Sequence, residues 1–211
     1  MSGVSGRSIS GQEIIIADSS NLDANSRLRV AEPNVLFDSK FMHDKDPLFW
    51  DEQVSGGTST HNAIDSTINM SVSSSGNFAI RQTKIMFSYT PGISQLVLLT
   101  AANFHAQTNV TKRLGLFTGS FVSPFNFTNG VFFESSGGTV SINIAKNSIA
   151  TSVPQAQWNV DKIDGTGPSR IIVDWSKIQL FIIDFLWFGV GRIRFGIFVD
   201  GVVHYVHYFN A

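Results

Sequence analysis

Read for reactive side chains, the sequence offers carboxylates and imidazoles but no thiol, with 5 histidines and 0 cysteines. That excludes disulfides, thiolate zinc sites and a cysteine nucleophile. The histidines are His43, His61, His105, His204 and His207, and only the last two lie close in sequence. Their i, i+3 spacing puts them on opposite faces of a strand, so they share a metal only if the strand bulges. A G-x-S-x-G nucleophile elbow is absent. The segment Asp164-Gly165-Thr166-Gly167-Pro168-Ser169 superficially matches a phosphate loop. It lacks the Lys-Ser/Thr ending, and Pro168 blocks entry into a helix, so a tight surface turn is expected. Asp161 and Asp164 sit near oxygen donors that would suit calcium, but without EF-hand spacing, and they read as solvated loop acids. No metal or other cofactor is expected.

Paired carboxylates could hydrolyse a glycosidic bond, and Glu134, Asp174 and Asp184 are the candidates. Asp184 lies in the apolar run Phe181-Ile182-Ile183-Asp184-Phe185-Leu186-Trp187, where an unpaired charge would be costly. Burial that raises a carboxyl pKa marks functional sites. A structural ion pair with Arg192 or Arg194 on the next strand is the commoner outcome. No clustered acidic motif accompanies these residues, and the chain is expected not to be an enzyme. Aromatic rings that could stack on sugars include Trp50, Trp158, Trp175 and Trp187. Trp175 and Trp187 fall in apolar stretches and read as core. Trp158, between Gln157 and Asn159, is the best candidate for a glycan platform, joined by Phe125 and Phe127 of the Phe/Asn/Ser loop over residues 119–129. A second role is open for Trp158, as an aromatic plug closing the end of the fold.

The elements that would position these residues read as strands separated by turn residues. Residues 64–74 alternate Ile68, Met70 and Val72 with Asn69, Ser71 and Ser73, the period of a half-buried strand. Residues 78–89, 96–104 and 111–117 follow as strands. Residues 131–134 and 140–146 form a hairpin around Gly137-Gly138, and Gly56-Gly57 opens a Ser/Thr/Gly loop. Residues 171–187 are apolar enough for a central strand, or two joined by a bend. Asp200-Gly201 between residues 192–199 and 202–209 is the strongest short hairpin signal. No helical period and no fixed repeat is present. Roughly ten strands with Gly/Pro/Asn punctuation predict an all-β antiparallel two-sheet sandwich, jelly-roll-like or lectin-like, whose 18 Phe fill the space between sheets. The predicted domain covers residues 27–211. Residues 1–26 are Ser/Gly/Asn/Asp-rich and read as an extended assembly arm. Its apolar triplet Ile14, Ile15 and Ile16 docks on a neighbour or on its own domain, or else forms one short strand in a tail.

Charged residues make up 15% of the chain, against about 25% in typical soluble domains. A neutral skin of Ser, Thr, Asn and Gly suits either a large β core or a surface that meets other proteins. The net charge of −1 supplies no field to draw nucleic acid or anionic lipid. The longest apolar stretch, residues 178–190, is broken by Gln179 and Asp184 and is shorter than the ~20 residues of a membrane helix. Residues 1–12 contain no apolar signal-peptide core, and the lack of cysteine suits assembly in a reducing cytoplasm.

Several segments carry a family likeness. They are residues 27–40 (RLRVAEPNVLFDSK), residues 47–51 (PLFWD), residues 130–134 (GVFFE), residues 189–194 (GVGRIR) and, most distinctive, residues 158–169 (WNVDKIDGTGPS). Together these resemble a family of virion structural proteins of tailed, especially aquatic, bacteriophages, and the likeness runs from about Arg27 to the C-terminus. The resemblance implies a non-enzymatic component of a phage particle (tail, fibre, baseplate or head-associated) assembled in the host cytoplasm. Its partners would be copies of itself and other virion proteins, and it attaches no catalytic residue to the chain. Two alternatives stand beside it: a carbohydrate-binding, receptor-recognition module of a tail structure that binds a host surface glycan, and, less favoured, a polysaccharide hydrolase.

Overall fold

The computed structural model describes residues 4–7, 13–16, 22–23, 34–88, 93–119, 127–186 and 191–210. In chain order the strands are β1 (Val4–Arg7), β2 (Glu13–Ile16), β3 (Trp50–Ser55), β4 (Gly57–Asn62), β5 (Thr67–Val72), β6 (Phe78–Thr83) and β7 (Gln95–Ala101). They continue with β8 (Lys112–Gly119), β9 (Phe127–Ser136), β10 (Thr139–Lys146), β11 (Ile149–Pro154), β12 (Gln179–Leu186), β13 (Arg192–Val199) and β14 (Val202–Asn210). A single 3-10 turn, Gln155–Gln157, is the one helical element among the described residues. The chain is all-β, as its punctuation predicts.

It divides into two compact units. One comprises Met1–Val30, Thr90–Ser120 and Pro124–Ala211, the other Ala31–Tyr89 with Phe121–Ser123. The sandwich belongs to the first unit. Two four-stranded antiparallel sheets, ordered β11-β10-β9-β8 and β14-β13-β12-β7, face each other. Phe133, Val140 and Ile142 of the first sheet meet Phe181, Ile183, Ile193, Phe195, Ile197 and Val206 of the second in one core. Strand alternation produces this: residues two apart share a face, so Phe181 and Ile183, or Phe195 and Ile197, point inward together. Phe133 lies at the centre, its ring 4.9 Å from that of Phe181 and 5.1 Å from that of Phe195, both edge-to-face. Such pairs add about 0.5–1.5 kcal/mol each beyond area burial.

Turn chemistry sets the registers. Asp200 and Gly201 both take positive φ (50° and 82°), closing β13–β14 with Val199 opposite Val202. Gly137 and Gly138 do the same between β9 and β10. Asn147 and Ser148 (φ 52° and 65°) make a third such turn, which adds β11 to the sheet. Primed turns of this kind match the right-handed twist of the strands they join. On the outer face of the first sheet, Phe132 stands opposite Gly115 and Phe117 opposite Gly130. A Cβ on Gly130 would meet Leu116 O at 2.3 Å. At both glycines the neighbouring strand's backbone and the Phe Cβ occupy the space that a side chain would need.

The second unit holds two antiparallel pairs, β3-β6 and β4-β5. Residues 57–62, expected as a loop, pair along their length with residues 67–72. Phe37 meets Phe49, Trp50 and Phe87 edge-on. Arg81 lies 5.2 Å from the Phe41 ring and 5.4 Å from that of Trp50, and bonds Glu52 at 2.8 Å and Lys45 O at 2.6 Å. Burial alone would raise the Glu52 carboxyl, yet the hydrogen bond from Lys45 and the charges of Lys45 and Arg81 hold it below its ordinary value. The expected sandwich over residues 27–211 therefore needs correcting. Residues 31–89 form their own unit, because their strands are short and rich in Ser, Thr and Gly and gather around a separate aromatic cluster.

Truncating Phe133 removes the ring that bridges both sheets. Phe133→Ala is expected to cost about 3–5 kcal/mol, read as a lowered midpoint in denaturant unfolding.

Candidate functional site

A buried set of hydrogen-bonded polar side chains lies on the outer face of the β14-β13-β12-β7 sheet. Ile183 and Phe185 of β12 and Ile193 and Phe195 of β13 face the core, so the residues between them, Asp184 and Arg194, point the other way. The register sets these two directly opposite one another. Both are buried, at 0% and 1% exposure. The Arg194 Nη2 group donates to Asp184 Oδ2. Tyr205 donates its hydroxyl to the same oxygen at 3.2 Å, and Ser94 donates to Oδ1 at 3.3 Å. The Arg194 guanidinium stacks 4.1 Å from the Tyr205 ring centre. Arg194 Nη2 also donates to the carbonyl of Leu22, which with Asp23 is buried. The site is thus a clamp that holds the chain near residue 22 against the outside of its own sheet. Of the two arginines expected as partners, Arg194 serves. Arg192 instead bonds Asn210 Oδ1 at 3.0 Å and lies 5.0 Å from the Tyr208 ring.

The clamp's chemistry is that of a structural pair. A general acid needs a proton to give and room for a substrate, whereas Asp184 is enclosed with a cation on the oxygen it would use. Nor do the other carboxylates converge on it. Phe133 points into the core, so Glu134 lies on the outer face of the opposite sheet, bonded to Arg113 at 2.7 Å. Glu134 and Asp184 are therefore on opposite outsides of the sandwich, farther apart than the ~10 Å between sheets. Asp174 accepts from the Ser176 amide and hydroxyl at 2.9 and 2.6 Å, and these bonds hold its carboxyl below the ordinary value. An acid catalyst needs a shift the other way. The arrangement is not that of a two-carboxylate hydrolase.

Residues 158–173 fold around a second buried acid. Asp161 Oδ1 accepts the Ile163 amide and Oδ2 the Ser169 amide, each at 2.9 Å. Gly167 is packed against this carboxylate, and a Cβ there would fall 2.0 Å from Oδ1. Asp164 accepts both the amide and hydroxyl of Thr166, which keeps its carboxyl low. The loop's acids are occupied in shaping the turn. Among the described residues no group of three or more His, Asp or Glu could hold a metal ion.

Trp158 does not serve as a glycan platform. It is 4% exposed, sits in the sandwich core, donates Nε1–H to Val153 O at 3.1 Å, and meets Trp175 edge-on. A ring enclosed in this way has no free face for a sugar. Its neighbour Asn159 points elsewhere: its Nδ2 donates to Tyr208 O at 2.9 Å and its Oδ1 accepts the Tyr208 amide at 2.9 Å. Phe127 is half-buried, with its ring 5.2 Å from that of Phe132 and the Arg113 guanidinium 5.3 Å away. Phe125 lies outside the described residues, as does Trp187. Of the proposed arm, Ile14, Ile15 and Ile16 pair through their backbone with Gly6, Ser5 and Val4.

A feature the sequence named only as a condition is present. β14 carries a bulge opposite Phe195/Gly196, which sets His204 opposite Ile197 and His207 opposite Phe195, two residues that share the core face. His207 is buried, and its Nδ1 accepts the Asn159 amide at 3.2 Å.

No family model matches the chain, and no curated protein or solved structure shows a significant match to it.

Removing one partner of the clamp strands a buried charge. Arg194→Met is expected to cost about 3–5 kcal/mol, while Asp184→Leu/Arg194→Met together cost far less, because no charge is left unpaired. Urea unfolding of both variants and of Asp184→Leu checks this. His207 gives a pH signature. Burial pushes its pKa below the ordinary 6.5, so below that pH the unfolded chain binds the proton more readily than the folded one. Stability is therefore expected to fall on acidification below about 6.5 and to be unaffected by this group above it. Urea midpoints across that range, compared with those of His207→Asn, read the effect as a flatter profile in the variant.

Proposed function

We propose that this chain is a non-enzymatic structural component of a phage particle, acting through protein–protein contacts with copies of itself and with other virion proteins. The observation that carries the reading is how its polar groups are used. Asp184, Glu134, Asp161, Asp164 and Asp174 each spend their oxygens on a neighbouring cation, amide or hydroxyl. Meanwhile large apolar side chains stand in solvent on the sandwich, among them Leu96, Leu98, Ile149, Ile172, Ile178 and Phe198. Exposed apolar side chains of this size suit contact with other proteins more than a reaction centre. The low charge and the likeness of residues 27–211 to virion structural proteins point the same way.

The N-terminal residues are the proposed assembly arm. The cut that tests it must spare Leu22, whose carbonyl the buried Arg194 requires. A chain lacking residues 1–16 should keep the wild-type unfolding midpoint yet be depleted from purified particles, measured by quantitative mass spectrometry of virions. Particles that contain no copy of the full chain, or that take up the shortened chain at the wild-type level, would count against this reading.

A further inference from the structure

Of the prolines in the chain, only Pro47 follows an aspartate. An Asp-Pro peptide bond is one that its own side chain can break. The carboxylate closes a five-membered ring on the neighbouring carbonyl carbon, and the tertiary amide nitrogen, once protonated, departs as an amine. Asp46 is also strained: its φ is 56°, in the left-handed region that side chains avoid. Helical dihedrals are disfavoured further in a residue that precedes proline. Non-glycine residues held in this way cluster where strain serves a reaction.

The groups around this bond match the needs of that reaction. The Asp46 carbonyl oxygen accepts two backbone amides, from Phe49 at 3.1 Å and Trp50 at 3.0 Å, the donor pair of an oxyanion hole. Asp46 Oδ2 accepts the Ser39 hydroxyl at 3.0 Å, and Ser39 Oγ accepts Trp50 Nε1–H at 3.0 Å. Trp50 is itself fixed at the start of β3 by the rings of Phe37 and Phe41 and by Arg81. The carboxylate is thereby oriented through one oxygen, and the other is left to attack. On the far side of the bond, Lys84 Nζ donates to Pro47 O at 2.7 Å, and the Lys84 amide donates to Phe49 O at 2.7 Å. An ammonium thus stands beside the nitrogen that has to leave. The amide contacts alone would brace any turn; a left-handed aspartate ahead of proline is what a turn does not need.

We infer that the chain cleaves itself once, between Asp46 and Pro47. Asp46 Oδ1 adds to the residue's own carbonyl carbon, and the Phe49 and Trp50 amides hold the oxyanion that forms. The C–N bond then breaks. Its electron pair goes to the Pro47 nitrogen, which takes a proton from Lys84 Nζ, and Asp46 becomes a cyclic anhydride. One water opens the anhydride to two carboxylates, and its two protons go to Lys84 and to the new Pro47 amine. The pieces stay together after the cut. Phe37 and Phe41 remain packed on Trp50, Lys45 remains paired with Glu52, and the Leu22 carbonyl remains bonded to Arg194. The result is a nicked protein whose proposed arm is no longer covalently joined to its strands from β3 onward. The inference rests on the residues around Asp46 and is independent of the virion reading.

The test follows the mass of the full-length chain, held at about pH 6, where an aspartate is charged and an ammonium intact. Samples are read by mass spectrometry in denaturing solvent. Two fragments are expected, residues 1–46 and 47–211, together one water heavier than the parent. They accumulate at a rate independent of protein concentration. Hydroxylamine present during the reaction captures the anhydride, so fragment 1–46 then carries a hydroxamate, which a contaminating protease would not produce. Asp46→Asn tolerates the left-handed backbone and can still accept from Ser39, but it has no carboxylate, and its fragments are expected to vanish. Lys84→Met is expected to slow cleavage by about 100-fold. Unfolding midpoints verify that both variants are folded, and wild type in concentrated urea is expected to lose the reaction. No fragments from the folded wild type overturn the inference. So do fragments at the wild-type rate from either variant, or equal rates with and without urea.

Discussion

The contact on which the sandwich depends is the edge-to-face meeting of Phe133 with Phe181 and Phe195 across the gap between sheets. Each sheet alone is a single layer that would leave one apolar face wet. Opposing the two layers removes that surface from water at roughly 25 cal/mol per Å². The ring of Phe181 is also met by Phe104 at 5.0 Å and stacks with Trp175. Through Trp175 the core reaches Trp158 and residues 158–173. The most distinctive stretch of the sequence is therefore a lid built on that core, and Asp161 ties its turn together through backbone amides.

A second constraint follows from the central strands being buried on both faces. β12 reads as a nearly continuous apolar run because Phe181 and Ile183 serve the core while Ile182 and Leu186 are covered on the outside. Asp184 is the exception, and its charge must be neutralised locally. Arg194 does so from the adjacent strand, Tyr205 and Ser94 fill the remaining lone pairs, and the Leu22 carbonyl takes a further guanidinium proton. A pair of leucines would hold the sheet about as well. What the ion pair adds is a tie to the chain at residue 22, whose carbonyl accepts from Arg194.

Much of this was legible before any coordinates. Asp200-Gly201 and Gly137-Gly138 declare their hairpins because positive φ at both central positions selects such residues. Asp184 announced an arginine partner because its neighbours are apolar. What escaped had weaker local signals. β4 reads Gly-Thr-Ser-Thr-His-Asn, with no apolar alternation, and becomes a strand only by pairing with β5. β11 was missed because Asn147-Ser148 is a less familiar primed turn than Asn-Gly. Trp158 has polar neighbours on both sides, yet a side chain in irregular backbone points where tertiary packing sends it, and flanking residues say little about that. The division into two units was hidden for a similar reason: strand punctuation reports where strands end and is silent on which core each strand serves.

The scarcity of charge ties these observations together. Charged residues make up 15% of the chain, and several of them hold structure in pairs: Arg194 on Asp184, Arg113 on Glu134, Arg81 and Lys45 on Glu52. A free monomer with so little electrostatic protection would have to shield each edge by geometry, as β14 does with its bulge and the cover of residues 159–161.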